Sequence, residues 1–140
     1  MKTRKAKLGD LGALYKIGNS TTELRTSDGE LPMELQDIKA AIKSSKGIFL
    51  VVEDKGQIIA FSYAAIEGET YGCIVYDVVI PAYRGRGIGK ALLIQSERWL
   101  KSKGLKSVYG LATNRKMVQI LEHFGYKKGK KLTWLGKKLG

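Results

Sequence analysis

The residues best suited to chemistry lie in the stretch Val79-Ile80-Pro81-Ala82-Tyr83-Arg84-Gly85-Arg86-Gly87-Ile88-Gly89-Lys90-Ala91. Alternating glycines let a backbone approach a ligand closely and present several N–H groups at once. A helix starting near Ile88 would add about half a positive charge at its N-terminus. Arg84, Arg86 and Lys90 place full charges beside it. Together these residues describe an anion site, and the number of donors suits a diphosphate. Two familiar phosphate loops are excluded by spacing. The pattern G-x-x-x-x-G-K-[ST] fails because Ala91 follows Lys90 and Arg84 stands where its first glycine is needed. The pattern G-x-G-x-x-G fails because Lys90 falls three positions after Gly87. What fits is R-x-x-G-x-G, carried by Arg84, Gly87 and Gly89.

Upstream, Asp77 is the only charge in the apolar run from Ile74 to Ile80. A carboxylate there must either meet a partner or titrate near neutrality. Strand alternation puts it on one face with Cys73, Val75 and Val79. His123 is the only histidine and Cys73 the only cysteine, so neither a histidine-rich nor a cysteine-based metal site is expected, and no intrachain disulfide can form.

These residues sit in a chain of 140 residues, which predicts one domain over residues 1–140 with one sizeable core. The net charge is +12, and it is uneven. Residues 1–80 are near neutral, whereas residues 81–140 hold 15 basic residues against Glu97 and Glu122. A basic half predicts an anionic partner. The longest apolar run, Ile48 to Val52, is far too short to span a membrane, and no secretory apolar stretch follows the basic N-terminus. A cytoplasmic protein without membrane contact is the expectation.

The elements that must position the site follow from periodicity. Residues 3–7 read as a strand. Asp10 reads as an N-cap, followed by a helix through Leu11, Leu14 and Tyr15 that Gly18 would stop. Residues 19–30 read as a loop, and Pro32 as a first helical turn before Leu35, Ile38, Ala41 and Ile42. Ile48–Val52 and Ile58–Phe61 flank Asp54-Lys55-Gly56-Gln57 as a hairpin. Tyr71 to Ile80 is a strand ended by Pro81. A helix over 88–103, a strand over 106–111 and a helix capped by Asn114 and carrying Met117, Ile120, Leu121 and Phe124 come next. Weak alternation from Tyr126 to Leu139 predicts the last strands. The order gives a mixed α/β or α+β fold around one sheet.

With these elements in place, the sequence resembles the GNAT superfamily of N-acetyltransferases. Val79, Pro81, Arg84, Gly85, Gly87, Ile88 and Gly89 match its strand-to-helix motif V-x-P-x-x-R-G-x-G-I-G. Asn114, followed by Ile120-Leu121-Glu122-His123-Phe124-Gly125-Tyr126, is similar to its Asn and L-Y-E-x-L-G-F segment. Arg4 to Asp10 resembles its opening strand and cap. The resemblance implies a mostly antiparallel central sheet flanked by about four helices. It implies acetyl-CoA as acetyl donor, no metal, and a primary amine as acceptor, on a small molecule, a polyamine, a protein N-terminus or a lysine. The pyrophosphate would lie on the amides of Gly85 to Gly89, with Arg84, Arg86, Ile88 and Lys90 around it. The pantetheine arm would pair with the backbone of Asp77, Val78 and Val79, and Asn114 would contact the cofactor near the acetyl end. The Val79 N–H would receive the developing oxyanion. A homodimer is common in that family.

Leu121 stands where the family's usual acid, a tyrosine, is found, and it cannot donate a proton. A leaving thiolate could then take its proton from water. Tyr109 stands where some members carry a glutamate base, so Tyr109 and Asp77 are the catalytic candidates. Asp77 would be the base or amine-binding residue, and Tyr109 a substitute proton donor. His123 should face away from Leu121's side of its helix. The departure at Leu121 keeps open a CoA-binding sensor or interaction module with weak catalysis. A nucleic-acid or ribosome partner for Lys127, Lys128, Lys130, Lys131, Lys137 and Lys138 is the weaker alternative, since no RNA-recognition motif accompanies them. On the acceptor side, Glu23, Asp28, Glu30, Glu34 and Asp37 outnumber Arg25, Lys39 and Lys43, a balance that suits an amine, polyamine or basic peptide.

Overall fold

A computed structural model describes residues 1–20, 33–112, 115–133 and 135–140. Pro32, Asn114 and most of the 19–30 loop lie outside the described residues. Five strands form one sheet in the order β1-β2-β3-β4-β5. They are β1 (Lys2–Lys5), β2 (Gly47–Asp54), β3 (Gln57–Ile66), β4 (Tyr71–Val79) and β5 (Ser107–Gly110). The first four pair antiparallel and β4 pairs β5 parallel. The helices are α1 (Leu11–Ser20), α2 (Leu35–Lys43), α3 (Ile88–Ser102) and α4 (Arg115–His123).

The apolar run at β2 is continuous because both faces of the sheet are covered. On one face, Phe49, Val51, Phe61 and Val78 pack with Leu14 of α1, Met33 and Ile38 of α2. On the other, Leu50, Val52 and Ala60 pack with Ile88 and Leu92 of α3. A fully buried side chain of this kind contributes about 1.5–3 kcal/mol. The β2–β3 hairpin closes through Lys55 and Gly56 at φ 51° and 76°. These are the paired positive values that the right-handed twist of a two-residue hairpin demands.

Four expectations are corrected. Asp10 does not cap α1 as an N-cap. It ends a 3-10 turn, Leu8–Asp10, that runs straight into the helix. Its carboxylate accepts two bonds from Arg4, at 2.8 and 2.9 Å, and one from the Lys7 N–H at 2.7 Å. Gly18 does not stop α1, which continues to Ser20. Its role is close packing, since a Cβ there would fall 2.5 Å from Met33 Sδ. The tail forms no strand among its described residues, and Leu132, Leu135 and Leu139 are more than four-fifths exposed. Closely spaced lysines repel one another along an extended chain, and the weak apolar alternation does not offset that. The fourth correction concerns β4. Tyr63 pairs with Tyr76, but Ala64 pairs with Ile74, so Val75 is an extra residue in β4. This bulge inverts the alternation. Asp77, opposite Ser62, faces α3, whereas Cys73, opposite Ala65, faces the other side.

Candidate active site

β4 and β5 share only the register from Tyr71↔Ser107 to Ile74↔Gly110. Beyond Ile74, β4 runs on to Val79 with no strand on that side among the described residues, and the sheet opens there. Ile80 N–H bonds Ile59 O at 3.0 Å, so Ile80 points its backbone toward β3. Backbone groups alternate along a strand, so those of Val79 and Asp77 point into the opening. From that side Arg84 Nε donates to Val79 O at 2.9 Å.

A 3-10 turn, Pro81–Tyr83, leads from β4 to the glycines. Gly85 and Gly87 have φ of +79° and +81°, and Gly87 is the N-cap of α3. A Cβ at either would meet nothing within 4 Å, so left-handed backbone, not lack of space, requires glycine there. The same open space is what a diphosphate over the turn needs, and the free N–H groups of α3's first turn point toward it. Arg86 donates to Ala82 O at 3.3 Å and lies 4.8 Å over the Tyr83 ring, which fixes its position beside the turn. Lys90 Nζ lies 5.9 Å over the ring of Phe124, joining α3's first turn to the end of α4.

Asp77 sits beneath this turn. A Cβ at Gly89 would lie 3.6 Å from Asp77 Oδ1 and 3.6 Å from Val79 Cγ2, so the first turn of α3 rests on the carboxyl. Oδ1 is sealed from water and has no hydrogen-bond partner among the described residues. Burial pushes the Asp77 pKa up to about 7. A carboxyl with that pKa can exchange a proton near neutral pH.

Tyr109 does not join it. It pairs with Cys73 and its ring lies 6.0 Å from that of Tyr71, on the sheet face away from α3. The neighbouring Cys73, and then burial, push its pKa up to about 12. Such a phenol is a poor proton donor, and Tyr109→Phe is expected to leave kcat within about twofold of wild type in a thiol-release assay. Leu121 lies against Gly110, its Cδ1 3.9 Å from where a Cβ would be, and His123 is exposed.

The sequence did not single out Tyr126 as functional. Its N–H bonds Leu121 O at 3.0 Å in the turn that ends α4, and its Oη donates to Glu97 Oε1 of α3 at 2.7 Å. Burial first, and then Glu97, raise its pKa well above the usual phenol range. This bond fastens α4 to α3, two elements that border the opening. Tyr126→Phe leaves a half-buried carboxylate unpaired and is expected to cost about 1–3 kcal/mol in chemical denaturation.

A mixed sheet that opens beside a glycine turn, with a helix N-terminus at its end, is the arrangement implied by the resemblance noted in the sequence. The sequence pattern of the Acetyltransferase (GNAT) family matches residues 13–126, and the chain belongs to that family. It is an acyltransferase enzyme. The chain is 29% identical over 105 residues to Acetyltransferase SG1711 of Sodalis glossinidius, covering 74% of this chain and 73% of that protein. It is 28% identical over 103 residues to the mycothiol acetyltransferase of Renibacterium salmoninarum, covering 66% of this chain but only 30% of that longer protein. Among solved structures, a predicted acetyltransferase from Clostridium acetobutylicum with acetyl-CoA superposes with a TM-score of 0.80 at 19% identity, covering 98% of this chain and 95% of that one.

Proposed function

We propose that residues 1–140 form one N-acetyltransferase domain that moves the acetyl group of acetyl-CoA directly to a primary amine. The observation that carries this reading is the glycine turn at Gly85 and Gly87, set at the end of the half of β4 that β5 does not pair. In this reading the N–H groups of Gly85 to Gly89, with Arg86 and Lys90, hold the pyrophosphate. Arg84 aligns the strand end through Val79 O. The backbone groups of Asp77 and Val79 that face the opening hold the pantetheine arm, those of Val78 facing β3 instead, and the Val79 N–H receives charge as it develops on the thioester oxygen. Asn114 is assigned to the acetyl end of the cofactor.

The amine nitrogen bonds to the thioester carbon, the C–S bond breaks, and the amine loses a proton. Asp77, ionised above about pH 7, takes that proton directly or through a water. Leu121 offers no proton to the leaving thiolate, so solvent supplies it. The chain's main contribution is positioning on a rigid strand end.

Thermal denaturation with acetyl-CoA, followed by mass detection of acetylated product from a panel of amines, tests the proposal. Stabilisation that grows with ligand concentration, together with product, is expected. Stabilisation by RNA but not by acetyl-CoA would contradict it.

A further inference from the structure

A second feature lies across β4 from Asp77. Asp37, Ala40 and Ala41 of α2, with Ser44 just beyond its end, face Tyr63 of β3 and Val75 and Tyr76 of β4 around a cavity of 320 Å³. That volume is at the lower end of the range for small-molecule sites, about 300–1,000 Å³. The extra residue Val75 of the bulge lies at its edge and is 38% exposed.

The walls are aromatic and held in place. Tyr63 and Tyr76 rings are 6.5 Å apart and tilted by 32°, and Phe49 stacks on Tyr63 at 5.3 Å. Tyr63 lies over Gly47, where any Cβ would come within 2.5 Å of its ring, and its hydroxyl is hydrogen-bonded to Ser44. Among the described residues the only charged lining residue is Asp37, which is exposed. Among the described residues no lysine or arginine pairs with it. A carboxylate beside two electron-rich tyrosine rings attracts an organic cation and repels anions. A neutral apolar ligand would leave the carboxylate unused.

We infer that this cleft binds an alkylammonium group of the acceptor, remote from the nitrogen that reacts, so that the preferred acceptor is a dication. The inference rests on the acetyl-transfer reading above. Tyr76 is two to three residues along β4 from Val78 and Val79. At about 3.3 Å per residue this separates the two nitrogens by roughly 7–10 Å. An extended diamine with a chain of about six carbons spans that distance.

Two measurements test it separately from acetyl transfer. Hexyltrimethylammonium has no N–H and cannot be acetylated. It should shift the ring resonances of Tyr63 and Tyr76 saturably, whereas hexanol should not. Asp37→Asn, on the exposed side of α2, should weaken that binding about fivefold. In thiol release with acetyl-CoA, hexamethylenediamine should exceed hexylamine about fivefold in kcat/KM. Asp37→Asn should remove the preference through the amine KM, leaving the KM for acetyl-CoA unchanged. No saturable shift, or equal binding by Asp37→Asn, overturns the cleft even if amines are acetylated. Ammonium binding lost in Asp37→Asn, with no amine acetylated, upholds the cleft and overturns acetyl transfer.

Discussion

Asp77→Asn is expected to lower turnover by about 10²–10⁴-fold, the usual contribution of a positioned base. It should also remove the rise in rate centred near pH 7 that burial of Asp77 predicts. The same variant should be more stable than wild type at pH 8. The sign follows from linkage. The folded carboxyl holds its proton up to about 7, while the unfolded one releases it near 3.8. Between those values the folded state binds more protons, so wild-type stability falls as pH rises and levels off above about 7. Asparagine carries no such penalty, so it gains up to about 4 kcal/mol at pH 8. Denaturant melts at pH 5 and pH 8, read beside pH–rate profiles, check both parts. A structural carboxylate that takes no part in proton transfer would change the melts and leave the rate profile in place.

Gly87→Val should raise the KM for acetyl-CoA about tenfold or more. At φ +81° a β-branched side chain costs about 2 kcal/mol. The turn either keeps that strain or rotates to negative φ and re-aims the N–H groups of α3's first turn away from the pyrophosphate. Gly89→Ala is the informative contrast. Its Cβ would make only ordinary contacts at 3.6 Å, so the backbone should tolerate it. Comparable KM values for the two variants would mean that loop volume, not backbone direction, matters. Isothermal titration with CoA alone separates a binding defect from a slower chemical step.

The glycine turn was readable because it is local. Pro81 must end a strand, Gly85 and Gly87 supply left-handed backbone, and Ile88 begins an amphipathic helix, all within eight residues. The hairpin at Lys55-Gly56 was readable for the same reason. The face of Asp77 was not. One extra residue at Val75 reverses everything after it, and nothing in the local composition marks a bulge between two apolar residues. The Asp37 cleft was hidden for a further reason. Tyr63 and Tyr76 meet only through β3–β4 pairing, and α2 reaches them only through core packing by Ile38. Its acidity was visible on the acceptor side, but its aromatic walls were not. Gly18 looked like a helix stop because its actual constraint, Met33 Sδ, comes from a distant part of the chain.

The basic second half divides in the same way. Arg84, Arg86 and Lys90 are drawn into the turn by bonds to Val79 O and Ala82 O and by the rings of Tyr83 and Phe124. The lysines from Lys127 onward remain on an exposed tail, apart from an ion pair of Lys128 with Glu122 at 3.9 Å.

The proposed reaction is acetyl transfer to an amine at the opening of β4. Its most direct test is the initial rate of CoA thiol release at pH 8, with saturating acetyl-CoA, as hexamethylenediamine is varied. A rate that saturates with amine and is lost in Asp77→Asn is expected. A thiol-release rate that does not depend on amine, from protein that acetyl-CoA demonstrably stabilises, would contradict it.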